Sequence, residues 1–144
     1  MKKTIRIFVV ASLLITWSCK KELTPEENLM FSLQKNADAP KTKVAFDKMV
    51  HDFGEIKQGE IVSTTFTIKN VGENDLFVLE AHGSCGCTVP EVTKEAIAPG
   101  KSAPIQVKFD SNGKSGEVTK SVLITCNTAQ IVETITIKAS IKSK

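Results

Sequence analysis

His82-Gly83-Ser84-Cys85-Gly86-Cys87-Thr88 is the stretch of this chain where residue types that do chemistry stand together. Two thiols flanking one glycine, with an imidazole just upstream, support three readings. The first is a disulfide across Gly86. In a fully extended strand the two Cα atoms would lie at the outer edge of the separation a disulfide permits, so the backbone must bend, and Gly86 makes the bend accessible. Such a bond would be strained and easily reduced, which in an exported protein allows thiol exchange. The second reading takes the thiolates of Cys85 and Cys87, with His82, as a soft ligand set for copper(I) or zinc. Three ligands are fewer than a closed structural zinc site uses, so copper or a transient site fits better. In the third, the segment is a tight, partly buried strand end whose Cys and Thr side chains simply pack.

The other reactive residues form no such group. In an immunoglobulin-like strand order, Cys126 falls at the opposite pole, about seven residues of strand from Cys85, and reads as a small core hydrophobe. His51 and His82 are the two histidines. Neither stands in a nucleophile or metalloprotease motif. Asp47, Asp52 and Glu55 near His51 read as the solvated side of an edge strand. No Gly-rich phosphate loop follows a strand. The sequence therefore predicts no catalytic residues, no small-molecule substrate and no cofactor beyond copper or zinc at the cysteine pair.

Cys19 is a candidate of another kind. Lys2, Lys3 and Arg6 precede the apolar run Ile7 to Ile15, and small or polar residues lead to Cys19. This order is that of a secretory signal peptide, with an apolar stretch too short to span a bilayer stably. Leu14-Ile15-Thr16-Trp17-Ser18-Cys19 resembles a bacterial lipobox, although Trp17 stands where a small residue is usual. The expectation is cleavage after Ser18 and acylation of Cys19, giving a firm membrane anchor. Charge then changes meaning. The whole chain has 19 Lys plus Arg against 16 Asp plus Glu, and losing Lys2, Lys3 and Arg6 leaves 16 against 16. Trp17 and Arg6 are the lone Trp and Arg, and Tyr is absent. A mature chain without Arg, Trp or Tyr lacks the residues that most often grip phosphates and stack on bases, which excludes nucleic-acid binding.

These residues must be positioned by the rest of the chain. Residues 19–43 read as a polar tether in which Thr24-Pro25-Glu26-Glu27 starts a short helix with Leu29, Met30 and Leu33 on one face, ended by Pro40. From Val44 the pattern has period two. Val62, Thr64, Phe66 and Ile68 share one face; Phe77, Leu79 and Ala81 line the next strand; Ile105, Val107 and Phe109 follow. Val118, Lys120, Val122, Ile124 and Cys126 face one way, Asn127 to Gln130 make a hairpin, and Ile131, Ile135, Ile137, Ala139 and Ile141 share the last face. With Val44 to Phe53 and a weak strand near Glu95 to Ile97, about seven strands result. The fold class is an all-β, immunoglobulin-like antiparallel sandwich over residues 44–142, and no long helical pattern interrupts it.

Phe53-Gly54-Glu55-Ile56, Gly59, Phe66-Thr67-Ile68-Lys69-Asn70-Val71-Gly72, Ser84-Cys85-Gly86-Cys87-Thr88, Ile97-Ala98-Pro99-Gly100 and the strand Ile135 to Ile141 together resemble a bacterial family, domain of unknown function 1573. The resemblance covers about Val44 to Ile141, and the Cys-Gly-Cys-Thr core is its specific part. The phenylalanine-glycine, asparagine-glycine and proline-glycine pieces are similar to immunoglobulin-like domains of the major sperm protein and Hydin type. Cys126 stands where a serine is more usual in such domains. The resemblance implies a sandwich used for binding or spacing rather than catalysis, in a lipoprotein of Bacteroidota type. The expectation is a cell-envelope lipoprotein, held by lipid on Cys19 in the outer membrane facing the periplasm, that binds an envelope protein by strand addition at an exposed edge.

Overall fold

The computed structural model describes Asn36 and residues 38–143; Cys19, the leader and most of the tether with its expected helix lie outside the described residues. Eight strands follow in chain order: β1 (Val44–Phe46), β2 (Val50–Lys57), β3 (Ile61–Asn70), β4 (Val78–Gly83), β5 (Thr88–Val92), β6 (Ser102–Asp110), β7 (Gly116–Cys126) and β8 (Val132–Lys142). They make two four-stranded sheets, ordered β1-β3-β6-β5 and β2-β8-β7-β4. This is the immunoglobulin-like sandwich that the alternating pattern requires. Phe66, Ile68, Ile105, Val107 and Phe109 from one sheet meet Val122, Ile124, Ile135 and Ile137 from the other, all fully or almost fully buried. Each contributes about 1.5–3 kcal/mol of burial, offset by the entropy of ordering the chain.

Five expectations are corrected. The run Val44 to Phe53 is two strands, because the chain crosses between sheets at residues 47–49: β1 pairs with β3 and β2 with β8. The β2–β8 pairing is parallel, so the sandwich is not wholly antiparallel. The weak strand near Glu95 to Ile97 is a single bridge between Leu76 and Ile97, and the strand opposite β6 is instead Thr88–Val92. Pro90 hides that strand from a reading by propensity. On β4 the core-facing residue is Val78, not Phe77 or Leu79, and a bulge between Val78 and Glu80 turns Ala81 to the same side. Ile131 lies outside the last strand, half exposed in the turn before it, with φ of 67°.

The two ends of the sandwich differ. At the first, Asn127 donates from Nδ2 to the carbonyls of Pro40 and Asp75 (both 2.9 Å) and accepts from the Phe77 amide (2.8 Å). Asn70 donates to the carbonyls of Asn74 and Ile97 (both 2.8 Å) and accepts from Thr42 Oγ1 (2.9 Å) and the Gly72 amide (3.0 Å). Both are 0% exposed. Every polar atom of the two amides has a partner, so their burial is tolerated. The chain arriving through Pro40 to Lys43 is thereby stitched to this end. At the opposite end lie the β2–β3 turn, the β6–β7 loop and the last residues of β8. There the Ser111 hydroxyl donates to the carbonyls of Lys57 and Glu60, and the Gln58 amide to that of Lys142.

Candidate functional site

Cys85, Gly86 and Cys87 make the turn that carries the chain from β4, at the edge of one sheet, to β5, at the edge of the other. The Thr88 amide donates to the Cys85 carbonyl (3.1 Å), closing a four-residue β-turn. This is the bend that the spacing demanded. It brings the Cα atoms of Cys85 and Cys87 to 5.3 Å, and the two sulfurs are joined in a disulfide. The turn is also held from outside the ring. The Ser84 amide donates to the Ser121 carbonyl (2.8 Å), the Ser121 amide to Ser84 Oγ (3.2 Å), and the Asp110 amide to the Cys87 carbonyl (2.9 Å).

The obligatory glycine is not the one between the cysteines. A Cβ on Gly86 would meet nothing within 4 Å, and its φ is not left-handed. A Cβ on Gly83 would fall onto the carbonyl oxygen of Thr88 and within 2.7 Å of the Thr88 Cβ. Gly83 is thus where the outgoing and returning backbones touch. Sequence reasoning missed it because a close approach of two backbones leaves no local signal in residue type or spacing. Thr88 belongs to the site as well. It is 3% exposed, and its Oγ1 lies 3.8 Å from the Cys85 sulfur and 4.0 Å from that of Cys87. Disulfide sulfurs carry no proton, so the hydroxyl is the donor in both contacts.

His82 extends to the outer face of β4, where its Nε2 sits 3.1 Å from the Glu80 carboxylate and the side chain is 57% exposed. Bonded to each other, the sulfurs of Cys85 and Cys87 have no thiolate to offer a metal, so ligation by Cys85, Cys87 and His82 concerns the reduced pair. Among the described residues, no group of three or more His, Cys, Asp or Glu stands together as a metal cage. Cys126 pairs with Val78 at the start of β4, whereas the disulfide lies beyond that strand's end. Burial, then the Glu133 charge, pushes its thiol up from 9.0 to about 12, so it stays protonated and inert at neutral pH.

His51 belongs to packing rather than to a site. It stands edge-on to Phe53 and Phe66, with ring centroids 4.6 and 6.5 Å away. Burial and then Lys48 lower its pKa, opposed by Asp52. The carboxylates nearby hold backbone and a lysine: Asp47 accepts from the Thr67 amide, Asp52 from the Gly54 amide, and Glu55 pairs with Lys142 at 2.6 Å.

A β4 strand ending in a glycine-backed Cys-Gly-Cys turn, set in this sandwich, coincides with a family model described as "Protein of unknown function (DUF1573)", matched over residues 44–141. The chain belongs to the DUF1573 family. No curated protein matches it. Among solved structures this DUF1573 chain is similar to a protein of unknown function from Porphyromonas gingivalis W83, at 21% identity and a TM-score of 0.62 over 71% of this chain and 48% of that one. It thus spans about half the length of the Porphyromonas protein. A PapD-like domain of human CEP192 is similar at 11% identity and a TM-score of 0.56, with 73% and 89% covered. VesB protease of Vibrio cholerae is similar at 18% identity and a TM-score of 0.54, with 78% and 34% covered. At these identities the likeness shows a shared fold and nothing of activity.

Proposed function

We propose that this DUF1573 chain is a non-enzymatic protein-binding or scaffold module of the bacterial cell envelope, tethered to the outer membrane through lipid on Cys19 and facing the periplasm. The observation that carries the reading is the unlike chemistry of the two ends. Buried Asn70 and Asn127 clamp Pro40 to Lys43 at one end. A chain anchored upstream of Pro40 therefore presents the other end, with its β2–β3 turn, β6–β7 loop and exposed Gly59, Asn112 and Gly113, outward from the membrane.

Strand addition at an edge fits this molecule less well than docking on those outward turns. Each edge strand is interrupted. β1 has three residues, β2 shifts register between Asp52 and Glu55, and β4 bulges after Val78. On β5, the Asp110 amide bond to the Cys87 carbonyl places residues 87, 89 and 91 in the hydrogen-bonded pairs, which turns the donor-less nitrogen of Pro90 to the open edge. Short, bulged and proline-bearing edges resist pairing with a further strand.

The test has two arms. Labelled fatty acid should appear on the wild-type protein and be lost in Cys19→Ala, which should also leave the membrane fraction. Photo-crosslinkers at Gln58 and Asn112 should give a defined adduct in intact cells, while one at Thr65, on the outer face of β3, should not. Labelling that survives Cys19→Ala sinks the anchor, and adducts from Thr65 alone sink the outward-turn surface.

A further inference from the structure

We propose that the Cys85–Cys87 disulfide is a reversible acceptor of two electrons and two protons from a protein dithiol in the cell envelope, and that the attacking thiolate enters at Cys85. Four observations carry this, and none depends on the binding role proposed above.

The first is access. Cys87 packs against the hydrophobic core, whereas Cys85 does not belong to that cluster. Gly86 between them is exposed, with open space where a side chain would stand. An attacking thiolate must approach along the sulfur–sulfur axis from the far side of the sulfur it strikes, so the solvent side of Cys85 is the open route and Cys87 is the leaving group.

The second is what receives the charge. The sulfur that leaves does so as a thiolate in a partly buried place, and an unpaired buried anion is costly. The Thr88 hydroxyl, itself buried, already lies 3.8 and 4.0 Å from the two sulfurs with a proton to donate. It can serve whichever sulfur carries the charge at each stage.

The third is that the fold does not lean on the bond. The ring closes over one residue, so it constrains the unfolded chain little. The turn is held by the Thr88, Ser84, Ser121 and Asp110 amides irrespective of the sulfurs' state. Opening the bond leaves β4 and β5 paired to their sheets through β7 and β6. The fourth concerns reshuffling. Cys126 is buried at the far end of β4's pairing with β7, so the pair has no neighbouring thiol within the described residues to exchange with.

The chemistry balances in two displacements. One partner thiolate attacks Sγ of Cys85, forming a mixed disulfide as the Cys85–Cys87 bond breaks and Cys87 departs as a thiolate that takes up a proton. The partner's second thiolate then attacks its own sulfur in the mixed disulfide. Cys85 is released and protonated, and the partner leaves oxidised, its two thiol protons replaced by those now on Cys85 and Cys87.

The experiment uses the full chain and dithiothreitol as the dithiol. The native protein is equilibrated across ratios of reduced to oxidised dithiothreitol, alkylated, and weighed by mass spectrometry with peptide mapping. Peptide mapping should place two alkyl groups together on Cys85 and Cys87 and none on Cys126, with Cys19 counted separately, and circular dichroism of the reduced protein should be unchanged. A reduced sample left unalkylated should recover the starting mass on re-oxidation. A pair that resists dithiothreitol until the protein is denatured overturns the proposal, as does loss of β-structure upon reduction. For the direction of attack, Cys87→Ser and Cys85→Ser each keep one thiol of the pair. Oxidised glutathione should form a mixed disulfide with Cys85 in the first variant at least 10-fold faster than with Cys87 in the second, and equal or inverted rates overturn the assignment.

Discussion

Gly83 and Gly86 sit three positions apart around the same turn, yet they answer to different constraints. Gly83 has the Thr88 backbone against it, so Gly83→Ala should force β4 and β5 apart and cost about 2–3 kcal/mol, an overpacking effect. Gly86→Ala should stay within about 0.5 kcal/mol of wild type, because its side chain would stand in open space. Urea unfolding of both variants, with the disulfide intact, separates the two. Cys126 has a signature in alkali. Its thiol ionises near 9.0 in the unfolded chain and only at about 12 in the fold. Above pH 9 the unfolded state therefore binds fewer protons than the native state, and stability falls as pH rises from there toward 12. Cys126→Ala should lack this component. The stability difference between wild type and variant should shift against wild type by about 2–3 kcal/mol between pH 8 and pH 11, read from denaturant midpoints. A constant difference would show that the thiol ionises in the fold as easily as in water.

At the scale of elements, period-two alternation made the long strands legible. Phe66 and Ile68, Ile105 to Phe109, and Ile135 to Ile141 face inward as their spacing requires. What alternation could not show is a change of parity. The bulge on β4 moves the inward position from Leu79 to Val78, and β5 is short and carries Pro90, so neither strand announces its register locally. The disulfide was one of three open readings from spacing alone; the bend that decides it depends on the Thr88 amide and on Asp110, far along the chain. The β7–β8 turn shows a further limit. Its pattern invited Ile131 into the strand, but the Ile131 amide bonds to the Thr128 carbonyl, and a β-branched residue is held in the left-handed region. That conformation costs an L-residue about 1–2 kcal/mol, partly offset in a glycine variant by the freer unfolded chain. Ile131→Gly should therefore stabilise the domain by about 0.5–1 kcal/mol, seen as a rise of a few degrees in melting temperature. A lower melting temperature would mean that the half-exposed Ile131 side chain makes a contact worth more than its strain.

For the molecule as a whole, the two buried asparagines decide how the sandwich is mounted. Asn127→Ala would leave the Phe77 amide and the carbonyls of Pro40 and Asp75 without partners, at an expected cost of about 3 kcal/mol. The same variant should expose the backbone around Pro40 to proteolysis before the strands are cut. If cleavage there is no faster than in wild type, the segment is held by something other than this side chain. Neither asparagine was legible as structural from composition, because a buried amide reads in sequence like any loop residue.

The parallel pairing of β2 with β8 bears on how the domain would carry a load. β2 runs from beside Thr136, partway along β8, toward Lys142, where β8 ends, so the two strands run the same way and the last one finishes at the end opposite the stitched one. Tension applied between Pro40 and Ser143 slides these two strands along each other. Their cross-strand bonds then share the force and must yield together rather than open one after another from a fork. Pulled at those two points, the domain is in this geometry a link that resists stretching along its own long axis.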